Sequence, residues 1–357
     1  MSGNAAIVGA GIFGASLAYR LALDGWDVTL YERHEPGNLR AASGGESRLI
    51  RYAHGEGDWY TRSAWRAREL WRDLEEETGR ELLVESGVAW FARSEEGWEA
   101  TSERVLRAEG IPVERLAPDA GRELFPSFEP GDIEFILWEP QAGVLRAREA
   151  TIATAEAAQR AGVRLVHRVV APREVEADVV VWACGAWLPA LFDLPIRVTK
   201  QDVLFFAAED WTTPGVPAWV DYDHAIYGLG DLDGKGVKVA PDAEGPAFDP
   251  EEGEREASLE TEASARAYLA TRFPALRGAP LSGFSVCQYA LTPDTNFVLG
   301  RHEDQWILGG GSGHGFKHGP ALAEYAARVV TGEEEPLEQL GLGPRTGGPS
   351  LRTAGTT

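Results

Sequence analysis

Gly9, Gly11 and Gly14 stand in G-x-G-x-x-G spacing near the start of the chain, and Glu32 follows Gly9 by 23 residues. The chemistry that suits this set is dinucleotide binding. The first glycine permits a tight turn, the second lets the backbone approach a pyrophosphate, and the third lets a helix pack closely on a strand. Ile12 begins the helix whose free N–H groups and positive dipole end would face the phosphates. Glu32, with Arg33 beside it, lies where a carboxylate can accept both hydroxyls of an adenosine ribose.

The elements that must hold these residues lie on either side of them. Ala5–Val8 is an apolar run that reads as a buried parallel strand. Leu17, Ala18, Leu21 and Ala22 form the inner side of the helix, and Val28–Tyr31 reads as the second strand. Two later strand ends also carry glycines. ACGAW, 183–187, follows the β-branched run 178–183, and GSGHGFK, 311–317, precedes a helix expected over Pro320–Val330 with proline in its first turn. A nicotinamide cofactor needs only the first glycine motif and a substrate pocket. A larger cofactor lying across two lobes needs more close backbone approaches, which favours FAD. The turn before the 320–330 helix would then meet the flavin edge where negative charge develops on reduction.

Between these motifs, helices are expected over Trp59–Glu77 (stopped by Gly79), Trp98–Glu109, Ala147–Ala161 and Leu259–Phe273. Strands are expected at Ser86–Ala92, Val163–Val170, several times within Arg197–Lys238, at Phe297–Gly300 and at Trp306–Leu308, and the stretch from 110 to Gln141 reads as irregular. The fold class expected is α/β with an α+β second lobe. A Rossmann-like FAD-binding domain would be built from 1–84, 144–195 and 290–335. An antiparallel-sheet substrate domain, 85–143 and 196–289, would be inserted into it, and 341–357 would be a disordered tail.

Lys and Arg number 34 against 56 Asp and Glu, a net charge of −22 that argues against nucleic acid and anionic membrane as partners. No run of 18 apolar residues exists, the first strand leaves no room for a leader, and two cysteines make no disulfide framework. A cytoplasmic protein without a metal site is the expectation. Only four residues are lysines: Lys200, Lys235, Lys238 and Lys317.

SRLIRYAHGEG (47–57), the pair Tyr227 and Lys238, CQYALTPDTNFVLG (287–300) and GSGHGFK resemble the FAD-dependent amino-acid oxidases of the D-amino-acid oxidase superfamily. The likeness is greatest to the monomeric sarcosine oxidase and N-methyltryptophan oxidase branch, and extends to about residue 331. It implies cofactor contacts from the crossing 36–47, at Ser43, Gly44 and Ser47, and from Arg48 beside the flavin ring. Further contacts are implied at Val170, Ala183, Gly185 and Trp187, and along Gly311, Gly313, His314, Gly315, Phe316 and Lys317. Cys287 falls where this branch forms a thioether to the flavin, whereas Cys184 reads as a small buried thiol. Arg51 and Lys317 fall where the substrate carboxylate is clamped, Tyr227 would line the substrate pocket, and Lys238 falls on the lysine that activates oxygen.

One position departs from the branch: Asp242 stands where sarcosine oxidase has a histidine near the substrate amine, which puts sarcosine itself in doubt. A carboxylate there would raise the amine pKa, bind a second polar group of a larger substrate, or point to solvent. The resemblance implies a monomeric oxidase of secondary, N-methyl or cyclic amino acids, with the amino acid and O2 as its small-molecule partners. The alternatives are an FAD-dependent dehydrogenase with a non-oxygen acceptor, a non-catalytic flavin-binding subunit, and an NAD-dependent dehydrogenase.

Overall fold

A computed structural model describes residues 3–347 and Leu351. Its first sheet has six strands in the order Val298–His302, Gln305–Gly309, Val179–Trp182, Asn4–Val8, Asp27–Glu32 and Arg164–His167. The five from Gln305–Gly309 onward run parallel, and Val298–His302 adds antiparallel at the edge. Val179–Trp182 is buried at all four positions, as expected of a central parallel strand covered on both faces. Helix Ile12–Leu23 packs against the helices Ala147–Arg160 and Gly319–Val330. Gly319 is held to glycine because a Cβ there would lie 2.6 Å from Ile12 Cγ1, so the two helix starts meet side by side.

The second sheet has eight strands, in the order Leu281–Leu291, Arg197–Phe206, Val237–Pro241, Ile226–Leu229, Ala218–Asp221, Val88–Ala92, Phe135–Glu139 and Glu114–Leu116. It is antiparallel except where Ala218–Asp221 meets Val88–Ala92. Phe91, Phe125, Phe128, Trp219 and Phe273 pack against one face, below helix Leu259–Arg272. Ser258 caps that helix by accepting the Thr261 N–H at 3.0 Å. A small third sheet of Arg48–Ile50, Gly143–Leu145 and Leu83–Val84 lies beside helix Asp58–Thr78, which ends at Gly79 in the left-handed region at φ 68°.

Several expected elements are shorter, or lie where none was expected. Val163–Val170 contributes a strand only over Arg164–His167. Phe135–Glu139, inside the stretch read as irregular, is an almost fully buried strand, because its neighbours Val88–Ala92 and Glu114–Leu116 supply the hydrogen bonds. Leu281–Leu291 is an eleven-residue strand paired along Arg197–Phe206. Its pairing continues to Leu291, past the boundary expected at 289/290. Of the segment expected to be a disordered tail, Gly341–Gly347 and Leu351 are described. Arg345 donates to Asp294 at 2.8 Å and to the Phe297 carbonyl at 2.9 Å, holding the chain against the 292–297 turn. Residues 348–350 and 352–357 lie outside the described residues.

Candidate active site

The loops at the C-terminal ends of the parallel strands surround one long cleft, which continues between the two large sheets. At its near end, Gly9 has φ 103°, and a Cβ on it would meet the Ala183 carbonyl at 2.7 Å. A Cβ on Gly14 would meet the Gly9 carbonyl at 1.9 Å, so the third glycine packs helix on strand behind the cleft and does not line it. Gly11 differs from both. It lines the cleft, and a Cβ there would touch only Ser43 Oγ, at 3.4 Å. Protein packing does not require glycine at that position, so a ligand backbone held against it is the physical reason for one.

Glu32 lines the cleft with its carboxylate accepting the N–H groups of Ala10 at 2.7 Å and His34 at 2.9 Å. Ile12, Arg33, Ser43, Val170, Ala183, Gly185 and Trp187 lie on the same walls. Ser43 Oγ accepts the Ile12 N–H at 3.1 Å, tying the crossing loop to the helix start. Glu251, from the other part of the chain and without a sequence signal of its own, accepts from both Arg33 and Trp187. Gly44 sits in a turn where a Cβ would lie 1.8 Å from the Asn38 carbonyl, and it does not face the cleft. The donor and glycine set therefore fits FAD: two glycines shape the turn, one opens a path to phosphate, and a carboxylate stands at the ribose end.

The far end of the cleft collects side chains from both large sheets. Cys287, on Leu281–Leu291, has its sulfur 3.1 Å from Arg48 Nη2, and both line the wall. Cys184 also lines it but donates to the Val8 carbonyl at 3.3 Å, and burial pushes its thiol up to about 12. Gly311, Gly313, His314, Gly315, Phe316 and Lys317 form a continuous rim ahead of helix Gly319–Val330. Arg51 and Lys317 are 6% and 2% exposed and both line the cleft. Lys317 Nζ donates to the His314 carbonyl at 2.8 Å, and the Arg51 guanidinium lies 5.0 Å from the centre of the Trp90 ring. Burial first, and then the Arg51 charge, hold Lys317 well below the ordinary lysine range.

Tyr227 and Asp242 line the same chamber, with Tyr289 between them in function if not in chain order: its hydroxyl donates to Asp242 Oδ1 at 2.8 Å. Asp242 is thus a buried wall group and does not point to solvent. Tyr289 was read as part of a motif and not as a wall residue. Lys238 and Ser47 stand one layer back, outside the cleft lining. Lys238 is 1% exposed, donates to the Ser47 carbonyl at 2.9 Å and its hydroxyl at 3.1 Å, and lies 5.5 Å from the Tyr227 ring centre. Burial, followed by the Arg48 charge, pushes it down to about 7.

Two histidines beside Arg51 and Lys317, one of them inside the 47–57 motif, had no role expected from the sequence. His54 and His318 are fully buried and lie with His314 around Tyr60 and Phe297. Each of the three rings has a nitrogen engaged: by the Tyr52 carbonyl, Ser63 Oγ and the Thr295 carbonyl respectively. Burial, then the Lys317 charge, hold His54 and His318 well below the usual imidazole range. Although one nitrogen from each ring comes within 4.8 Å of the others, the adjacent Lys317 and Arg51 charges oppose a divalent ion there. His54 and His318 thus stand as an uncharged flank to Arg51 and Lys317, with the His314 ring packed beside them.

The chain is similar to known proteins over most of its length. A monomeric sarcosine oxidase of Bacillus sp. (strain NS-129) is 31% identical over 362 residues, covering 91% of this chain and 92% of that protein. An N-methyl-L-tryptophan oxidase of Salmonella dublin is 27% identical over 353 residues, covering 92% and 94%. Among solved structures, an L-proline dehydrogenase from P. horikoshii superposes with a TM-score of 0.81 at 23% identity, covering 95% of this chain and 96% of that one. The family model for FAD dependent oxidoreductases matches residues 4–329, and the chain belongs to that family.

Proposed function

We propose that this protein is an oxidase of secondary amino acids, N-methylated or cyclic, that works as a monomer and takes its electrons to O2. The observation that carries this reading is the placement of two buried cations, Arg51 and Lys317, on the wall of the chamber that continues from the dinucleotide cleft. A forked guanidinium and a point-charge ammonium suit one carboxylate, and few other ligands justify two desolvated cations lining one cleft. FAD, when bound, supplies the acceptor for a hydride from the carbon next to nitrogen and passes the electrons on.

The chain's own residues bind, orient and exclude water. Arg51 and Lys317 fix the carboxylate, which limits the approach of the C–H bond to one face. Tyr227, Val220 and His314 close the chamber around the rest of the substrate. Arg48 and Cys287 bound it on the side of the Leu281–Leu291 strand, where Cys287 is the proposed point of covalent attachment. Asp242 and Tyr289 present a hydrogen-bonded acid at the wall, which favours a substrate larger or more polar than sarcosine. Lys238 holds a proton behind Ser47, one layer from the chamber.

Mixing the purified yellow protein, without oxygen, with a panel of N-methyl and cyclic amino acids tests the reading. Bleaching by a panel member, lost in Arg51→Ala and Lys317→Ala while the bound flavin is kept, is the expected result. No bleaching by any amine overturns the substrate class. A second reading, a dehydrogenase with another acceptor, draws on Lys238 standing behind the cleft wall with its hold on a proton weakened by burial. Slow return of the yellow colour in air would favour it.

A further inference from the structure

Arg51 and Lys317 have one buried carboxylate beside them that no motif announces. Glu139 ends the strand Phe135–Glu139 and is 0% exposed. The neighbouring strand runs antiparallel, with Val88 opposite Glu139 and Trp90 opposite Leu137. Side chains alternate along a strand, so Trp90 and Glu139 stand on one face as diagonal neighbours. That register brings Trp90 Nε1–H to one carboxylate oxygen of Glu139 at 2.6 Å, while the other accepts the Tyr52 N–H at 2.7 Å.

Both donors bear on Arg51. Tyr52 is the next residue in the chain, and the Trp90 ring is the one on which the Arg51 guanidinium rests. Arg51 also donates to the Ala53 carbonyl, so the segment it grips is the segment Glu139 holds by its main chain. Burial raises Glu139 above the ordinary carboxylate range, while the Trp90 and Tyr52 bonds and the Arg51 charge pull it back. Its negative charge also favours the charged form of Lys317. The other titratable groups facing this cluster are Tyr52 and the histidines His54, His314 and His318; burial keeps the Tyr52 hydroxyl protonated and His54 and His318 uncharged.

We propose that Glu139 is the positioning residue of the carboxylate clamp: by tying the Tyr52 main chain and the Trp90 indole to one anion, it aims Arg51 into the chamber and gives the two cations a resident counter-charge. This rests on the reading of Arg51 and Lys317 as the site of the substrate carboxylate. An exposed carboxylate at this place would be screened and weak; a buried one with two short hydrogen bonds fixes geometry.

The test measures KM and kcat of flavin-loaded Glu139→Gln with an amino acid that bleaches the wild type, together with inhibition by acetate. Glutamine keeps the shape but cannot accept both N–H groups with a full charge. KM and the acetate inhibition constant should each rise about tenfold or more, as for loss of a charge-assisted hydrogen bond, with kcat changed by less than about twofold. Glu139→Asp, which keeps the charge, should recover part of the loss. If Glu139→Gln does not fold, Trp90→Phe keeps an aromatic ring near Arg51 while removing the indole N–H together with its five-membered ring, and it should raise KM with kcat spared. Unchanged KM and acetate inhibition in either folded variant overturns the inference. So does a loss of flavin content or thermal stability alone, which would mark Glu139 as structural only. If Arg51→Ala leaves the wild-type KM unmoved, the clamp reading itself fails, and the role of Glu139 with it.

Discussion

Cys287 and Cys184 both line the cleft, yet their surroundings separate them. Cys287 lies beside a guanidinium, whereas Cys184 is a buried thiol pushed up to about 12 and bonded to a strand carbonyl. Cys287→Ser is therefore expected to release flavin into acid, and Cys184→Ser to leave the attachment as it was; absorbance of the acid supernatant reads both. Lys238 offers a pH test. With its value pushed down to about 7, it carries its charge below that pH and loses it as pH rises through it. Lys238→Met should slow reoxidation roughly tenfold or more in acid buffer and much less in alkaline buffer, with flavin bleaching spared at both, followed by stopped-flow absorbance. The residue types were legible in the sequence at these positions, whereas Lys238 being a layer behind the wall was not, because the depth of a side chain depends on strands that pair across the sheet.

At the scale of elements, the first strand–helix–strand unit was readable almost to its ends, since its contacts are local and its glycines have local reasons. Those reasons differ and can be separated by experiment. Gly14→Ala would place a methyl 1.9 Å from the Gly9 carbonyl and should lower the melting temperature as well as the flavin content. Gly11→Ala meets only Ser43 Oγ at 3.4 Å and should fold as the wild type does while binding FAD much more weakly, as scanning calorimetry and flavin absorbance would report. Phe135–Glu139 and Leu281–Leu291 were harder to see. The first sits among prolines, and the second alternates Ser, Gly and Gln with apolar residues. Each becomes a strand because a distant partner pairs with it: Val88–Ala92 in one case, Arg197–Phe206 in the other. Missing the first of them also meant missing Glu139.

For the whole molecule, the excess of acid is the dominant long-range fact. A net charge of −22 repels itself in the folded state, and most of its carboxylates face water. Salt shortens the range of that repulsion to roughly 3 Å at 1 M. The melting temperature is expected to rise by several degrees from dilute buffer to molar KCl, measured by calorimetry; a fall would mean that its surface ion pairs outweigh the repulsion. At this scale the cleft also takes its form: its dinucleotide end comes from one sheet, while Cys287, Tyr227 and Asp242 come from the other.

The sequence by itself determined the first strand–helix–strand unit with its glycines and Glu32, the acidic composition, and the candidate residues Arg51 and Lys317. All of these depend on local spacing, on composition, or on motifs that stay contiguous in the chain. Only the tertiary structure decided which groups face the chamber and which stand behind it, that Asp242 is a wall residue bonded to Tyr289, and that His54 and His318 flank the cations. It also decided that Glu139 lies under them. Those placements follow from cross-strand register and from two sheets meeting face to face, contacts between residues far apart in the chain that no local pattern encodes.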